Sequence, residues 1–281
     1  MTHTILLDLK GQKSGRRSKG VFSYHPNGTL VVFVHGFTGS PEGTWRDFPA
    51  LLPTEPRANG ADAMFFGYDS VFGNPADSAK QLREFMDVLW TSPAACWPDV
   101  IAKGRAGKQW LGYSKLVLVA HSLGAVVSRL ALHDALARPS GPSWGKAAQM
   151  VLFAPAHKGA YRKEFIDLLG QTLLMVPKAG RIFKITRWAI QKTIPAAEHL
   201  QPKSKMLVDL ENTAVELDRK KGLRSATAKR TVFGSRDLVV LQIPFGCDPP
   251  AGIARGDGHT SVCKPRIGTN TAPLTEVRNY L

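Results

Sequence analysis

The feature that most constrains the fold of this chain is a strand, turn and helix pattern in residues 115–127. An apolar run that ends at Ala120 predicts a buried strand, and apolar residues at helical spacing after Gly124 predict a helix directly behind it. Ser122 stands at the junction, between two small residues that let the helix pack closely against the strand. This pattern indicates a nucleophile elbow, a sharp turn that exposes a serine hydroxyl at a helix N-terminus. Ala120 replaces the first glycine of the G-x-S-x-G form, and alanine is small enough to keep the turn.

A second strand and turn upstream fit the same chemistry. Residues 30–34 form a β-branched apolar run, and residues 35–39 form a glycine-bearing turn directly after it. Such a turn can aim backbone N–H groups at an oxyanion that develops during acyl transfer. We expect the N–H groups of Phe37 and Leu123 to form this oxyanion hole, and His35 to orient the loop.

A serine nucleophile needs a base, and four histidines follow Ser122 along the chain. His133 falls about three turns along the predicted helix and should face away from the serine. His157 follows another predicted strand and is a candidate for the mouth of the site, whereas His199 lies in a segment that we interpret as a cap. His259 lies in a glycine-rich loop near the C-terminus, ahead of a last helical stretch. We therefore predict that His259 is the catalytic base.

The base in turn needs an acid that orients it. Residues 229–234 predict a late strand, and Asp237 lies in the loop that follows. Asp237 is our prediction for the acid, with Asp248 and Asp257 as the alternatives. Asp257 is only two residues from His259, so its side chain is better suited to bracing the loop.

These segments resemble the lipase-like α/β-hydrolases, a superfamily that includes PGAP1-like and SERAC1-like serine esterases and bacterial relatives. The resemblance implies an α/β-hydrolase fold, with a mostly parallel central sheet covered by helices on both faces. It also implies an ester-hydrolysing triad of Ser122, Asp237 and His259. Ala120 and Ala156 depart from the commoner Gly and Thr, and neither change removes a catalytic group. The residues that carry the resemblance are 35–40 with Trp45, 68–70, 120–125, 154–159, 234–237 and 258–265.

Composition agrees with one α/β domain that spans residues 1–281. The chain is 43% hydrophobic and 21% charged, as expected of a globular protein, and predicted strands alternate with helices as in a parallel sheet. The three cysteines, Cys96, Cys247 and Cys263, are odd in number and widely spaced, so we expect free thiols and neither a disulfide framework nor a zinc site. The chemistry requires no cofactor and no metal. The N-terminal apolar stretch is too short for a signal peptide, and we expect the protein in the cytoplasm.

Residues 158–205 interrupt the alternation and predict an inserted helical cap. This segment is amphipathic and carries ten Lys or Arg residues against three acidic ones. The preferred interpretation is that its apolar face covers an acyl-binding cleft, and the alternative is that it lies on an anionic membrane surface. The net charge of +15 also fits attraction to anionic lipid or to an acidic substrate. We expect no nucleic-acid partner, because the chain shows no nucleic-acid motif.

The sequence thus predicts a serine hydrolase that cleaves carboxylic esters of small molecules or lipids through an acyl-enzyme intermediate. Two alternatives from other classes are a non-catalytic α/β-hydrolase-fold module for binding or signalling, and a peripheral membrane-binding protein. A complete set of nucleophile, base and acid argues against a mere scaffold. Thioester hydrolysis and acyl transfer to another alcohol would use the same residues.

Overall fold

An eight-stranded sheet runs through the part of the chain that the computed structural model describes, which is residues 7–8, 10, 17–106, 112–138, 141, 143–161 and 195–281. The strands in chain order are β1 (Leu7–Asp8), β2 (Lys19–Val21), β3 (Thr29–Val34), β4 (Asp62–Phe66), β5 (Lys115–His121), β6 (Ala148–Phe153), β7 (Ala228–Gly234) and β8 (Gly252–Ala254). The described α-helices are α1 (Phe48–Leu51), α2 (Pro75–Thr91), α3 (Asp99–Arg105), α4 (Leu123–Ala137), α5 (Trp144–Ala147), α6 (Pro195–His199), α7 (Lys205–Val215) and α8 (Ala272–Arg278).

The sheet has the strand order β1-β2-β4-β3-β5-β6-β7-β8 and is mostly parallel. The two N-terminal strands pair antiparallel at one edge, and the six strands from β4 to β8 in this order run parallel. Every residue of β3 is buried. Because successive side chains of a strand point to opposite faces, both faces of the sheet are covered at this strand. This explains why the central strands are continuous apolar runs in the sequence.

The central helix α4 begins directly after β5 and is buried along most of its length. It packs against the long amphipathic helix α2, whose first turn is capped by the Asn74 side chain accepting a hydrogen bond from the Ala76 N–H at 2.8 Å. With α4 held between the sheet and α2, the turn that joins β5 to α4 has a fixed position at the end of the sheet.

The predicted cap of residues 158–205 is described only at its two ends. Near its start, Ala160 forms an isolated antiparallel bridge with Val240, and α6 lies near the other end of the segment. Its amphipathic cationic part, residues 162–194, lies outside the described residues. Within the described ranges, no helix is long and apolar enough to cross a membrane.

Candidate active site

The predicted site residues follow four parallel strands of the sheet. Phe37 comes after β3, Ser122 after β5, Asp237 after β7 and His259 after β8. The carboxyl ends of parallel strands meet at one edge of a sheet, where ligands of open α/β sheets bind. The structure brings the four residues to this edge.

Ser122 occupies a strained turn between β5 and α4. Its backbone has φ 52° and ψ −120°, which is unusual for a residue with a Cβ atom. Hydrogen bonds hold the turn, since the Ser122 N–H donates to the Phe153 carbonyl at 3.0 Å and the Ser122 carbonyl accepts from the Ala156 N–H at 3.2 Å. The neighbouring Gly124 is required because a Cβ atom there would lie 2.2 Å from the Val34 carbonyl oxygen. The elbow predicted from the sequence is therefore built by close packing of α4 against the end of β3.

A chain of two hydrogen bonds joins the predicted nucleophile, base and acid. The His259 Nε2 atom lies 3.0 Å from the Ser122 Oγ atom, and the His259 Nδ1 atom lies 2.9 Å from Asp237 Oδ2. The residues are 5% exposed for Ser122, 7% for His259 and 3% for Asp237. With Nδ1–H donated to the carboxylate, the Nε2 lone pair faces the serine hydroxyl and can accept its proton.

The surroundings of Asp237 keep its carboxylate charged. Burial acts to raise the pKa of Asp237, but the hydrogen bond from His259 and the backbone N–H groups of Val239 and Val240 outweigh it, so the pKa lies below its ordinary value. The Val239 N–H donates to Asp237 Oδ1 at 2.8 Å, and the Gln242 side-chain amide donates to the Asp237 carbonyl at 2.7 Å. The carboxylate is thus fixed in orientation as well as in charge.

A second histidine, His121, supports the loop that carries His259. Its Nε2 atom lies 2.8 Å from the His259 backbone carbonyl, and the two rings are 4.9 Å apart between centroids. Burial, and then the nearby His259, lower the pKa of His121 to about 3, so its ring is neutral at pH 7 and its Nε2–H donates to that carbonyl. Sequence reasoning missed this residue, and the available signal was its position directly before the nucleophile.

The glycine turn after β3 packs against the elbow. A Cβ atom at Gly36 would lie 2.9 Å from the Ser122 Cβ atom, so the backbone that leads into Phe37 passes directly beside the serine. His35 is fully buried, donates through Nδ1 to the Gly36 carbonyl at 2.9 Å, and stacks on Tyr68 at 4.4 Å. The Tyr68 hydroxyl donates to the His35 carbonyl at 2.7 Å. These contacts agree with an orienting role for His35, while the oxyanion hole of Phe37 and Leu123 stays a prediction.

The alternative acids have other partners. Asp248 forms a buried ion pair with Arg129 and also accepts a hydrogen bond from the Ala228 N–H at 2.8 Å. Asp257 accepts a hydrogen bond from the Arg236 N–H through its backbone carbonyl at 2.9 Å, so it braces the loop through the main chain. Neither carboxylate is a hydrogen-bond partner of His259 among the contacts of the described residues.

The other histidines that follow Ser122 along the chain have other partners. His133 faces Ala226, with Nε2 at 3.2 Å from the carbonyl oxygen, as expected for a residue on the far side of α4. The prediction that His157 lines the mouth of the site is wrong, because its ring is fully buried and stacks on Phe245 at 4.3 Å. His199 is the last residue of α6.

The three cysteines are free thiols, as predicted. Burial raises the pKa of Cys96 to about 11 and that of Cys263 to about 12, so both thiols are protonated at neutral pH. Cys247 is half-buried. In the described part of the chain, no group of three His, Cys, Asp or Glu side chains is placed to hold a metal ion.

Comparison with known proteins relates this architecture to a family of hydrolases. The profile of the Alpha/beta hydrolase family matches residues 31–251, which is most of the chain. No curated protein matches the chain significantly. Among solved structures, the mature lipase BlEst2 of Bacillus licheniformis is 16% identical with a TM-score of 0.50, and the match covers 89% of this chain and 92% of that one. The carboxylesterase CesB of Bacillus subtilis is 12% identical with a TM-score of 0.51, over 92% of this chain and 87% of that one.

These likenesses confirm the predicted α/β-hydrolase fold. At 16% and 12% identity, the solved structures are evidence for the fold alone. The closer resemblance to PGAP1-like and SERAC1-like proteins stays a prediction.

Proposed function

Because the chain belongs to the Alpha/beta hydrolase family, we propose that it is a serine hydrolase that cleaves carboxylic esters, with Ser122, His259 and Asp237 as its catalytic triad. The observation that carries this proposal is the pair of hydrogen bonds at 3.0 Å and 2.9 Å that links serine to histidine and histidine to carboxylate. This geometry has the hydrogen-bond reach that nucleophilic catalysis by serine requires.

The proposed reaction is acyl transfer in two steps. The Ser122 Oγ atom attacks the ester carbonyl while His259 Nε2 takes the hydroxyl proton, and the N–H groups of Phe37 and Leu123 stabilise the oxyanion. His259 then gives its proton to the leaving alcohol as the C–O bond breaks, which leaves an acyl ester on Ser122. A water molecule, deprotonated by His259, attacks this ester, and His259 returns the proton to the Ser122 Oγ atom as the acid is released. Throughout the cycle Asp237 holds the imidazole in one tautomer and balances its transient charge.

Two further observations support this proposal, one for the choice of acid and one for the class of substrate. The competing acid, Asp248, is already occupied by Arg129, which leaves Asp237 as the partner of His259. The solved structures of similar fold include a lipase and a carboxylesterase, so a small-molecule or lipid ester is the proposed substrate class.

The test is covalent labelling of the purified protein with a fluorophosphonate probe. We expect the wild type to label and to hydrolyse 4-nitrophenyl esters, and Ser122→Ala to do neither. Ser128→Ala is the matched control, because it removes a buried hydroxyl from the same helix and should label like the wild type. A folded wild type that neither labels nor cleaves any ester from acetyl to long acyl would overturn the proposal.

A further inference from the structure

A small polar cavity lies next to His121, the residue directly before the proposed nucleophile. One wall is the loop that begins at Phe37 and includes Ser40 and Thr44, and the other wall includes Thr260 and Lys264. His121, the neighbour of the serine, forms part of the boundary between them. Both walls therefore belong to segments that the proposed mechanism uses, the oxyanion turn and the loop of the catalytic histidine.

The size of the cavity suits a single small polar group. Its volume of about 180 Å³ is equal to roughly six water molecules at ~30 Å³ each. Pockets that hold a whole drug-sized ligand measure roughly 300–1,000 Å³. The cavity is thus large enough for one polar substituent of a substrate and too small for a whole drug-sized ligand.

The charge and hydrogen-bonding groups of the walls favour an anion. The described residues that line the cavity include four with hydroxyl groups (Thr38, Ser40, Thr44 and Thr260) and Lys264 with its ammonium, and none of them carries a carboxylate. Burial does most to keep the His121 ring neutral by lowering its pKa, and the positive charge of Lys264 adds to this effect. Among the described residues of these walls, the only net charge at neutral pH is therefore positive.

Lys264 is held in place at its backbone while its ammonium has no partner in the described part of the chain. The flanking residues Cys263 and Pro265 are buried, and the Lys264 N–H donates to the Ser261 carbonyl at 2.9 Å. The ammonium makes neither an ion pair nor a hydrogen bond with another described residue, although the chain has many ion pairs elsewhere. A half-buried lysine without a carboxylate, facing a polar cavity, is suited to an anionic ligand.

We propose that this cavity is an anion subsite of the esterase centre, and that Lys264 binds a carboxylate or phosphate group carried by the ester substrate. The inference rests on the proposed function, and it narrows the substrate class from esters in general to acidic esters. The hydroxyls of Thr38, Ser40, Thr44 and Thr260 supply the hydrogen bonds that a charged oxygen needs once it leaves water.

The test compares matched pairs of esters that differ in one negative charge. For the acyl side, the pair is the 4-nitrophenyl monoester of glutaric acid and its methyl-capped analogue. For the alcohol side, the pair is O-butyryl glycolate and its methyl ester. We expect wild-type kcat/KM to favour the anionic member of at least one pair by about tenfold, and the pair that shows the preference identifies which side of the ester enters the cavity.

The variant Lys264→Met removes the charge and keeps most of the side-chain volume. We expect the ratio of kcat/KM for anionic over neutral ester to fall about tenfold in this variant. Lys115→Met is the matched control, because Lys115 is also half-buried but lies at the opposite end of β5, about 20 Å from His121 at ~3.3 Å per residue. It lowers the net charge equally and should leave the ratio as in the wild type.

The outcomes separate this inference from the proposed function. If neutral esters are cleaved and Ser122→Ala is inactive, but wild type and Lys264→Met show the same ratio, the anion subsite is wrong and the esterase stands. If no ester is cleaved, calorimetric titration of the folded protein with glutarate decides the subsite independently. Binding that is at least tenfold weaker in Lys264→Met than in Lys115→Met supports it, and equal or absent binding in all three proteins overturns it.

Discussion

Replacing Asp237 and Asp248 one at a time should distinguish a carboxylate needed for turnover from one needed for the free energy of unfolding. In Asp237→Asn the side-chain oxygen can still accept the Val239 N–H, so the amide NH₂ faces His259 Nδ1 across about 2.9 Å. An NH₂ group only donates, and the ring must then carry its proton on Nε2, pointing at Ser122. This tautomer cannot accept the serine proton. The same exchange in another serine-hydrolase triad costs on the order of 10⁴ in kcat, or about 5.5 kcal/mol of transition-state stabilisation.

Asp248→Asn should have the opposite profile. The Asp248 and Arg129 side chains are both fully buried, so the change leaves a guanidinium without its counter-charge in the interior. Breaking a buried ion pair in this way costs roughly 3–5 kcal/mol of unfolding free energy. Asp248 does not contact His259, so kcat of the folded protein should stay within about twofold of wild type. By contrast, Asp237→Asn should change the unfolding free energy by only about 1 kcal/mol, because its hydrogen-bonded geometry is preserved.

The assay is urea unfolding followed by tryptophan fluorescence, together with kcat for a 4-nitrophenyl ester under conditions where each variant is folded. Asp257→Asn is the control and should behave as wild type in both measurements. The hydrogen bond that Asp257 accepts from the Arg236 N–H is made by its backbone carbonyl, which the substitution keeps. The reasoning is refuted if folded Asp248→Asn loses as much kcat as Asp237→Asn, or if Asp237→Asn retains wild-type turnover.

Three further changes test other parts of the structure. Gly124→Ala places a Cβ atom 2.2 Å from the Val34 carbonyl oxygen, so we expect a loss of roughly 1–3 kcal/mol and much slower fluorophosphonate labelling, while Gly246→Ala, with no atom within 4 Å, should change neither. Tyr68→Phe removes the hydrogen bond to the buried His35 carbonyl, so we expect thermal unfolding to show a loss of roughly 1–3 kcal/mol of unfolding free energy. We also expect a lower kcat, because this hydrogen bond helps to hold the turn that carries Phe37. Burial lowers the pKa of His133 from 6.5 to about 4, so the unfolded chain binds more protons between these values and stability is lost as the pH falls from 6.5 toward 4. At pH 5 the lowered pKa of His133 takes about 2 kcal/mol from the free energy of unfolding. Because asparagine does not titrate, we expect His133→Asn to lose less unfolding free energy than wild type between pH 7 and pH 5.

Local patterns were enough to predict the centre of the fold. The strand β5, the turn residue and the start of α4 all fall within residues 115–127. Gly124 is needed because α4 packs closely against the Val34 carbonyl at the end of β3. In the same way, β3 is an apolar run and the second half of β7, residues 231–234, is buried, and the loops after these strands contain Phe37 and Asp237.

Other elements leave too weak a signal in the sequence. The strand β8 has only three residues, none of them fully buried, and it exists because its backbone pairs with β7. The contact of His121 with the His259 carbonyl joins residues 138 positions apart, so no local pattern reports it. The cavity that Lys264 faces leaves no local signal either, because its two walls come from opposite ends of the chain.

The choice between Asp237 and Asp248 shows most clearly what only the tertiary structure can supply. Both aspartates follow β7, but Arg129, on a helix 119 positions earlier, pairs with Asp248. A buried positive charge needs a buried negative partner, and each of the two carboxylates is paired with a different positive or potentially positive group. Asp248 balances the permanent charge of Arg129, whereas Asp237, kept ionised by its hydrogen bonds, faces a ring that becomes charged only during the proposed reaction. If Asp248 instead faced His259, Arg129 would be left unpaired, so the position of Arg129 on α4 also determines which aspartate can serve as the acid.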